Sequence, residues 1–184
     1  MSNLLVQNIK HTNGTTSQTI DSSGRITTST NRPHFFALGF SATSDNASAG
    51  PTLNGSTIDG NWKLMRNFST VTENYGNHYD NSTGIFTVPI SGLYMINLWF
   101  GYTETQGDYI GIAVVTGDSN DSNQGLTTLW NFAEKTDITG GIHFCKHLIA
   151  GKSLAGLMRT QSDTVTHPSD DEQRYFYFNV TFLG

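Results

Sequence analysis

An all-β fold is what this sequence predicts, and three observations carry it. Ser, Thr and Asn recur throughout, 19 glycines punctuate 184 residues, and only 14% of the chain is charged, a composition that supplies turns in quantity. Apolar residues cluster in short β-branched and aromatic runs, as in Tyr109-Ile110-Gly111-Ile112-Ala113-Val114-Val115, which suit strands. No long stretch repeats its apolar residues with the helical period of about 3.6. The length allows one good core and a small appendage.

The same inventory excludes several functions. A net charge of −5 opposes a nucleic-acid partner, which needs a basic stripe. No apolar run reaches the roughly eighteen residues of a membrane-spanning helix, so no membrane insertion is expected. Met1-Ser2-Asn3-Leu4-Leu5-Val6-Gln7 lacks the basic start and long apolar segment of a secretory signal. Cys145 is the single cysteine, so no internal disulfide forms. The expectation is synthesis in a cytoplasm, with release by a route such as lysis for any work outside the cell.

Along the chain, Val6 to His11 and Gln18 to Asp21 read as short β pieces, with Asn13-Gly14 and Ser23-Gly24 as tight turns. Hairpins this small need partner chains to bury their faces. A composition shift before Arg32-Pro33 sets residues 1–31 apart from 32–184. Arg32 to Phe40 reads as the first strand of the larger part, and Trp62-Lys63-Leu64 as another. Turn formers from Tyr75 to Gly84 lead into Ile85-Phe86-Thr87-Val88, which Pro89 closes. Gly92 then opens Leu93 to Phe100, apolar on both faces, so both faces need cover. Tyr109 to Val115, Gly141 to Leu148 and Ser153 to Met158 supply later strands. In the last, Arg174 to Leu183, Phe176, Phe178, Val180 and Phe182 point one way and Tyr175, Tyr177, Asn179 and Thr181 the other. The Phe side is core; the Tyr side suits a subunit interface.

Phe68, Asn74, Tyr79, Phe86, Gly92 and Tyr94 fall at spacings that few folds demand. Through them the chain resembles the C1q-like domain family, whose strand signature it keeps without a gap, with Ile96 and Leu98 where the family usually has aromatics. The resemblance implies a C1q/TNF-like jelly-roll sandwich that assembles as a homotrimer through the sheet holding the last strand. On that basis Tyr94, Tyr175 and Tyr177 are the expected trimer-interface residues. A second resemblance, carried by the run from Thr12 to Ile26, is to segments of tailed-bacteriophage structural and fibre proteins. It implies a virion-anchoring N-terminal β segment.

Other motifs point to chemistry more weakly. Gly117-Asp118-Ser119 with Asp163 and His167 imitates an esterase triad, but the chain offers no helices for that α/β/α fold and the Asp–His spacing is one residue too long; no catalytic residues and no enzyme are expected. His143, Cys145 and His147 alternate on one strand face, and a half-buried Cys between two surface histidines needs no metal. Asp118, Asp121, Asp170 and Asp171 offer loop oxygens for calcium, as in some C1q-like trimers; solvated loop charge is the plainer reading. No cofactor is expected. The sequence therefore reads as a non-enzymatic virion-surface protein. Its partners are itself, a phage capsid or tail protein bound through residues 1–31, and a host-surface glycan or protein. A purely structural capsid cement protein and a bacterial C1q-like lectin or adhesion module are the alternatives.

Overall fold

Strands separated by turns account for all the regular structure among the described residues, which in this computed structural model are 8–10, 16–20, 22–24, 26–28, 32–39, 52–53, 56–57, 62–103, 109–116, 127–132, 137–160 and 176–184. The chain divides into two units, Met1–Arg32 and Pro33–Gly184. In the first, β1 (Asn8–Lys10), β2 (Thr16–Ile20) and β3 (Ile26–Thr28) pair antiparallel in that order. Two successive hairpins thus share β2. The second turn runs through Ser22-Ser23-Gly24, with Gly24 at φ 77°, a conformation glycine adopts without steric cost.

The second unit holds β4 (His34–Leu38), β5 (Thr52–Leu53), β6 (Ser56–Thr57), β7 (Lys63–Leu64), β8 (Thr70–Tyr75), β9 (Tyr79–Asp80), β10 (Ile85–Thr87), β11 (Gly92–Thr103), β12 (Tyr109–Val115), β13 (Thr127–Phe132), β14 (Asp137–Leu148), β15 (Ser153–Thr160) and β16 (Tyr177–Phe182). One antiparallel sheet runs β14-β11-β16-β4-β8 and the other β13-β12-β15-β10-β9, with β7 also on β15; β5 and β6 form a separate hairpin. First and last strands pair directly, Phe35 opposite Val180, and the chain crosses repeatedly between the sheets. This is the jelly-roll arrangement. Besides β13, whose Thr-Thr-Leu-Trp-Asn-Phe lacks a clean apolar alternation, the sequence does not announce β3, β5, β6, β8 or β9, which are short or polar.

Alternation along the strands fills the space between the sheets. Phe35, Tyr94, Ile96, Leu98, Phe178 and Val180 from one sheet meet Phe86, Ile112, Val114, Leu154 and Met158 from the other. Phe35 is the hub: its ring stacks on Tyr79 at 4.1 Å and 1°, and lies 5.3 Å from Phe86 and 5.0 Å from Phe178, edge-on to the latter. The six signature positions are all explained here. Phe68, Tyr79, Phe86 and Tyr94 are buried core aromatics. Asn74 closes the β8–β9 connection, its Oδ1 accepting from Tyr79 N at 3.1 Å while its Nδ2 donates to Tyr79 O at 2.8 Å. At Gly92, a Cβ would run into the Phe182 ring and the Gly184 carbonyl.

Tyr79 carries a cost within this core. Its hydroxyl is buried and has no hydrogen-bond partner among the described residues. Burial first, and the Asp80 carboxylate second, push its ionisation above the ordinary tyrosine range. The folded state therefore holds this proton more tightly than the unfolded chain. The associated stability is whole below the unfolded value of about 10 and is lost as pH climbs above it. Tyr79→Phe is expected to raise the unfolding free energy by about 1 kcal/mol, because an unpaired buried hydroxyl is removed. It is also expected to soften the alkaline loss of stability without removing it, since burial raises the ionisation of Tyr94 as well. Urea unfolding at neutral and alkaline pH measures both, and a less stable phenylalanine variant would contradict the assignment.

Candidate assembly interface

The two sheets treat their outer faces differently. On the β12–β15 sheet, Ala113, Val115, Ala155 and Leu157 face outward and are covered by the chain's own Trp62, with Leu64 and Ile85 beside it. No described segment covers the outer face of the other sheet in this way. There β11 places Leu93, Met95, Asn97 and Trp99 outward while Tyr94, Ile96 and Leu98 face the core. Leu93 and Met95 remain 41% and 37% exposed.

Register assembles these residues into rows across the strands. Trp99 lies opposite Tyr177 on one side and Gly141 on the other. The Trp99 and Tyr177 rings are near parallel at 6.4 Å, and Phe36 lies 5.9 Å beyond Tyr177. Gly141 makes room for the indole, since a Cβ there would strike the Trp99 ring. Met95 lies opposite Cys145 and Thr181, and Leu93 opposite His147. The result is an aromatic and aliphatic surface over four strands.

A hydrogen-bond chain crosses this surface and reaches all five strands. Glu73 on β8 pairs with His34 Nε2, and His34 Nδ1 lies 2.7 Å from Thr181 Oγ1. Thr181 Oγ1 lies 3.4 Å from Asn179 Oδ1, which also accepts from Asn97 Nδ2 at 2.9 Å. Asn97 Oδ1 in turn meets His143 Nδ1 at 3.0 Å. Asn179 is only 7% exposed and spends its Nδ2 on the Phe35 carbonyl at 3.0 Å. A buried amide satisfied on both ends fixes strand register, because a slip would orphan it.

Of the expected interface residues, Tyr177 is on this face and half-buried. Tyr94 is not. It is fully buried between the sheets, its ring 6.2 Å from Phe86 and 5.0 Å from Phe182, and its hydroxyl donates to the Ile90 carbonyl at 2.7 Å. The parity of β11 decides this: even positions from Tyr94 to Leu98 face inward, so the outward residues are Met95 and Trp99. Trp99 and Met95 were legible from that parity once Tyr94 was assigned to the core. Tyr175, Asp118, Asp121, Asp163, His167, Asp170 and Asp171 lie outside the described residues. His143, Cys145 and His147 do share an exposed face of β14, with His143 engaged by Asn97. Among the described residues, no group of three His, Cys, Asp or Glu side chains is disposed to hold a metal.

A family model described as the C1q domain matches residues 51–127. The fold agrees with solved structures. One of murine APRIL at pH 8.0 superposes with a TM-score of 0.53 at 10% identity, covering 83% of this chain and 99% of that one. A second at pH 8.5 gives 0.51 at 11% identity, covering 83% and 99%. A weaker likeness, to the globular domain of zebrafish complement 1qA, has a TM-score of 0.47 at 13% identity, covering 83% and 98%; the fold assignment rests on the first two. The sandwich therefore has the C1q/TNF-like jelly-roll fold. No curated protein matches it at a significant level. At such low identity the solved structures speak for the fold of the C1q/TNF-like domain alone, so its function has to be argued from its own surface.

Proposed function

We propose that the C1q/TNF-like domain is a non-enzymatic binding head that assembles as a homotrimer through the outer face of the β14-β11-β16-β4-β8 sheet. One observation carries this: that face is apolar, aromatic and uncovered among the described residues, whereas Trp62 covers Ala113, Val115, Ala155 and Leu157 on the outer face of the other sheet. Exposed contiguous apolar surface of this kind marks a protein partner, and cyclic symmetry satisfies three copies at once. A three-fold head suits weak contacts made together, since linked binding raises avidity without a tight single site.

The setting we propose is the surface of a bacteriophage particle, as a short fibre or capsid decoration spike made in the host cytoplasm. The phage-like run from Thr12 to Ile26 supports it, as does the small separate sheet β1-β2-β3, which needs partner chains to bury its faces. The partner of residues 1–31 is a capsid or tail protein, and that of the head is a host-surface glycan or protein.

The full-length protein is expected to sediment at three times its 20.2 kDa subunit mass. Deleting residues 1–31 should leave the assembled head intact and abolish decoration of particles in reconstitution. A monomer at low micromolar concentration would overturn the trimer, and full decoration by the truncated protein would overturn the anchor.

A further inference from the structure

We propose that assembly through this face is switched by protons, with His143 and His147 as the sensors; the inference rests on reading the face as a subunit interface. Among its described side chains, the groups that acid can charge or discharge are His34, Glu73, His143 and His147. Cys145, Tyr75 and Tyr177 are its other titratable residues, and no lysine, arginine or aspartate is among its described side chains.

Proton counting separates the histidines. Thr181 has one hydroxyl proton and two neighbours for it, His34 Nδ1 at 2.7 Å and Asn179 Oδ1 at 3.4 Å. With His34 neutral, its Nε2 proton goes to Glu73 and Thr181 donates to Nδ1. When acid adds a proton at Nδ1, that nitrogen donates to Thr181, whose own proton turns to Asn179. Every link then has a donor, and Glu73 supplies the countercharge. His34 therefore accepts charge without leaving it unpaired.

His143 is placed the other way. Its Nδ1 faces Asn97 Oδ1, an acceptor only, because Asn97 Nδ2 is committed to Asn179. The neutral ring thus carries its proton on Nδ1, and an acid proton must land on Nε2, beside the Trp99 ring at 5.9 Å between centroids. The indole offsets that charge only in part. Among the described side chains of the face the one carboxylate is Glu73, held by His34 on the far edge of the sheet, four strand spacings or about 19 Å from His143. His147 lies opposite aliphatic Leu93. Burying these cations against a neighbouring copy leaves them unpaired, and three-fold symmetry repeats the penalty.

The sign follows from linkage. Assembly through this face is favoured while the two histidines are neutral and is opposed as acid charges them. The dissociation constant should rise about tenfold per pH unit for each histidine that must shed a proton to assemble.

Sedimentation velocity of the full chain between about pH 7.5 and about pH 5, with far-UV circular dichroism alongside, tests this. The wild type is expected to pass from oligomer to folded monomer. The variant combining His143→Gln and His147→Gln should keep its oligomer at the acid end. A monomer already at neutral pH defeats the interface reading and the switch with it. A neutral oligomer that acid leaves intact, or one lost identically in wild type and the double glutamine variant, overturns the switch and spares the interface.

Discussion

Phe35→Ala is expected to cost the head about 3–5 kcal/mol, the range for truncating a fully buried phenylalanine. Phe35 is 0% exposed and touches aromatic rings from three other elements, Tyr79 in β9, Phe86 in β10 and Phe178 in β16. Because these rings come from both sheets, the void left by truncation sits where the sheets meet and cannot be closed by moving one side chain. Domain stabilities lie near 5–15 kcal/mol, so the loss takes a large share of the total. Phe35→Leu, which keeps most of the volume, should cost well under half as much. Urea unfolding of the two variants measures the difference, and an alanine variant within about 1 kcal/mol of wild type would show that the ring stack is not the hub of this core.

What the sequence revealed and what it hid divide along one physical line. The spacing from Phe68 to Tyr94 was legible because it records local needs: an amide at 74 to clip the β8–β9 turn, an aromatic at 79 to stack on Phe35, and no Cβ at 92 where Phe182 packs. The alternation of β16 was legible for the same reason, with a period of two written in Phe176, Phe178 and Val180 against Tyr177 and Asn179. The side of the sheet on which Tyr94 lies was hidden, because β11 is apolar at odd and even positions alike. Only pairing with β16, Asn97 opposite Asn179, sets which set faces in. The polar chain from Glu73 to His143 was hidden more deeply, since it joins residues from five strands and exists only once the register is known. Asn179 looked like one more polar residue in a chain full of them.

Tyr177→Asp is expected to abolish assembly while leaving a folded subunit. Tyr177 sits half-buried on the outer face between Phe36 and Trp99, its ring 5.9 Å and 6.4 Å from theirs. In the free subunit an aspartate there still reaches water, so the sheet loses ring contacts and little more. In the assembly the carboxylate is buried against a neighbouring copy, and no lysine or arginine among the described side chains of this face can pair with it. An unpaired buried charge costs several kcal/mol in each subunit, which is enough to move a low-micromolar oligomer to monomer at the same concentration. Tyr177→Phe removes only the hydroxyl and should assemble like wild type, which separates charge from ring. Sedimentation reads the oligomer and near-UV circular dichroism reads the packed core. An aspartate variant that still assembles with unchanged affinity would take Tyr177, and with it this sheet face, out of the interface.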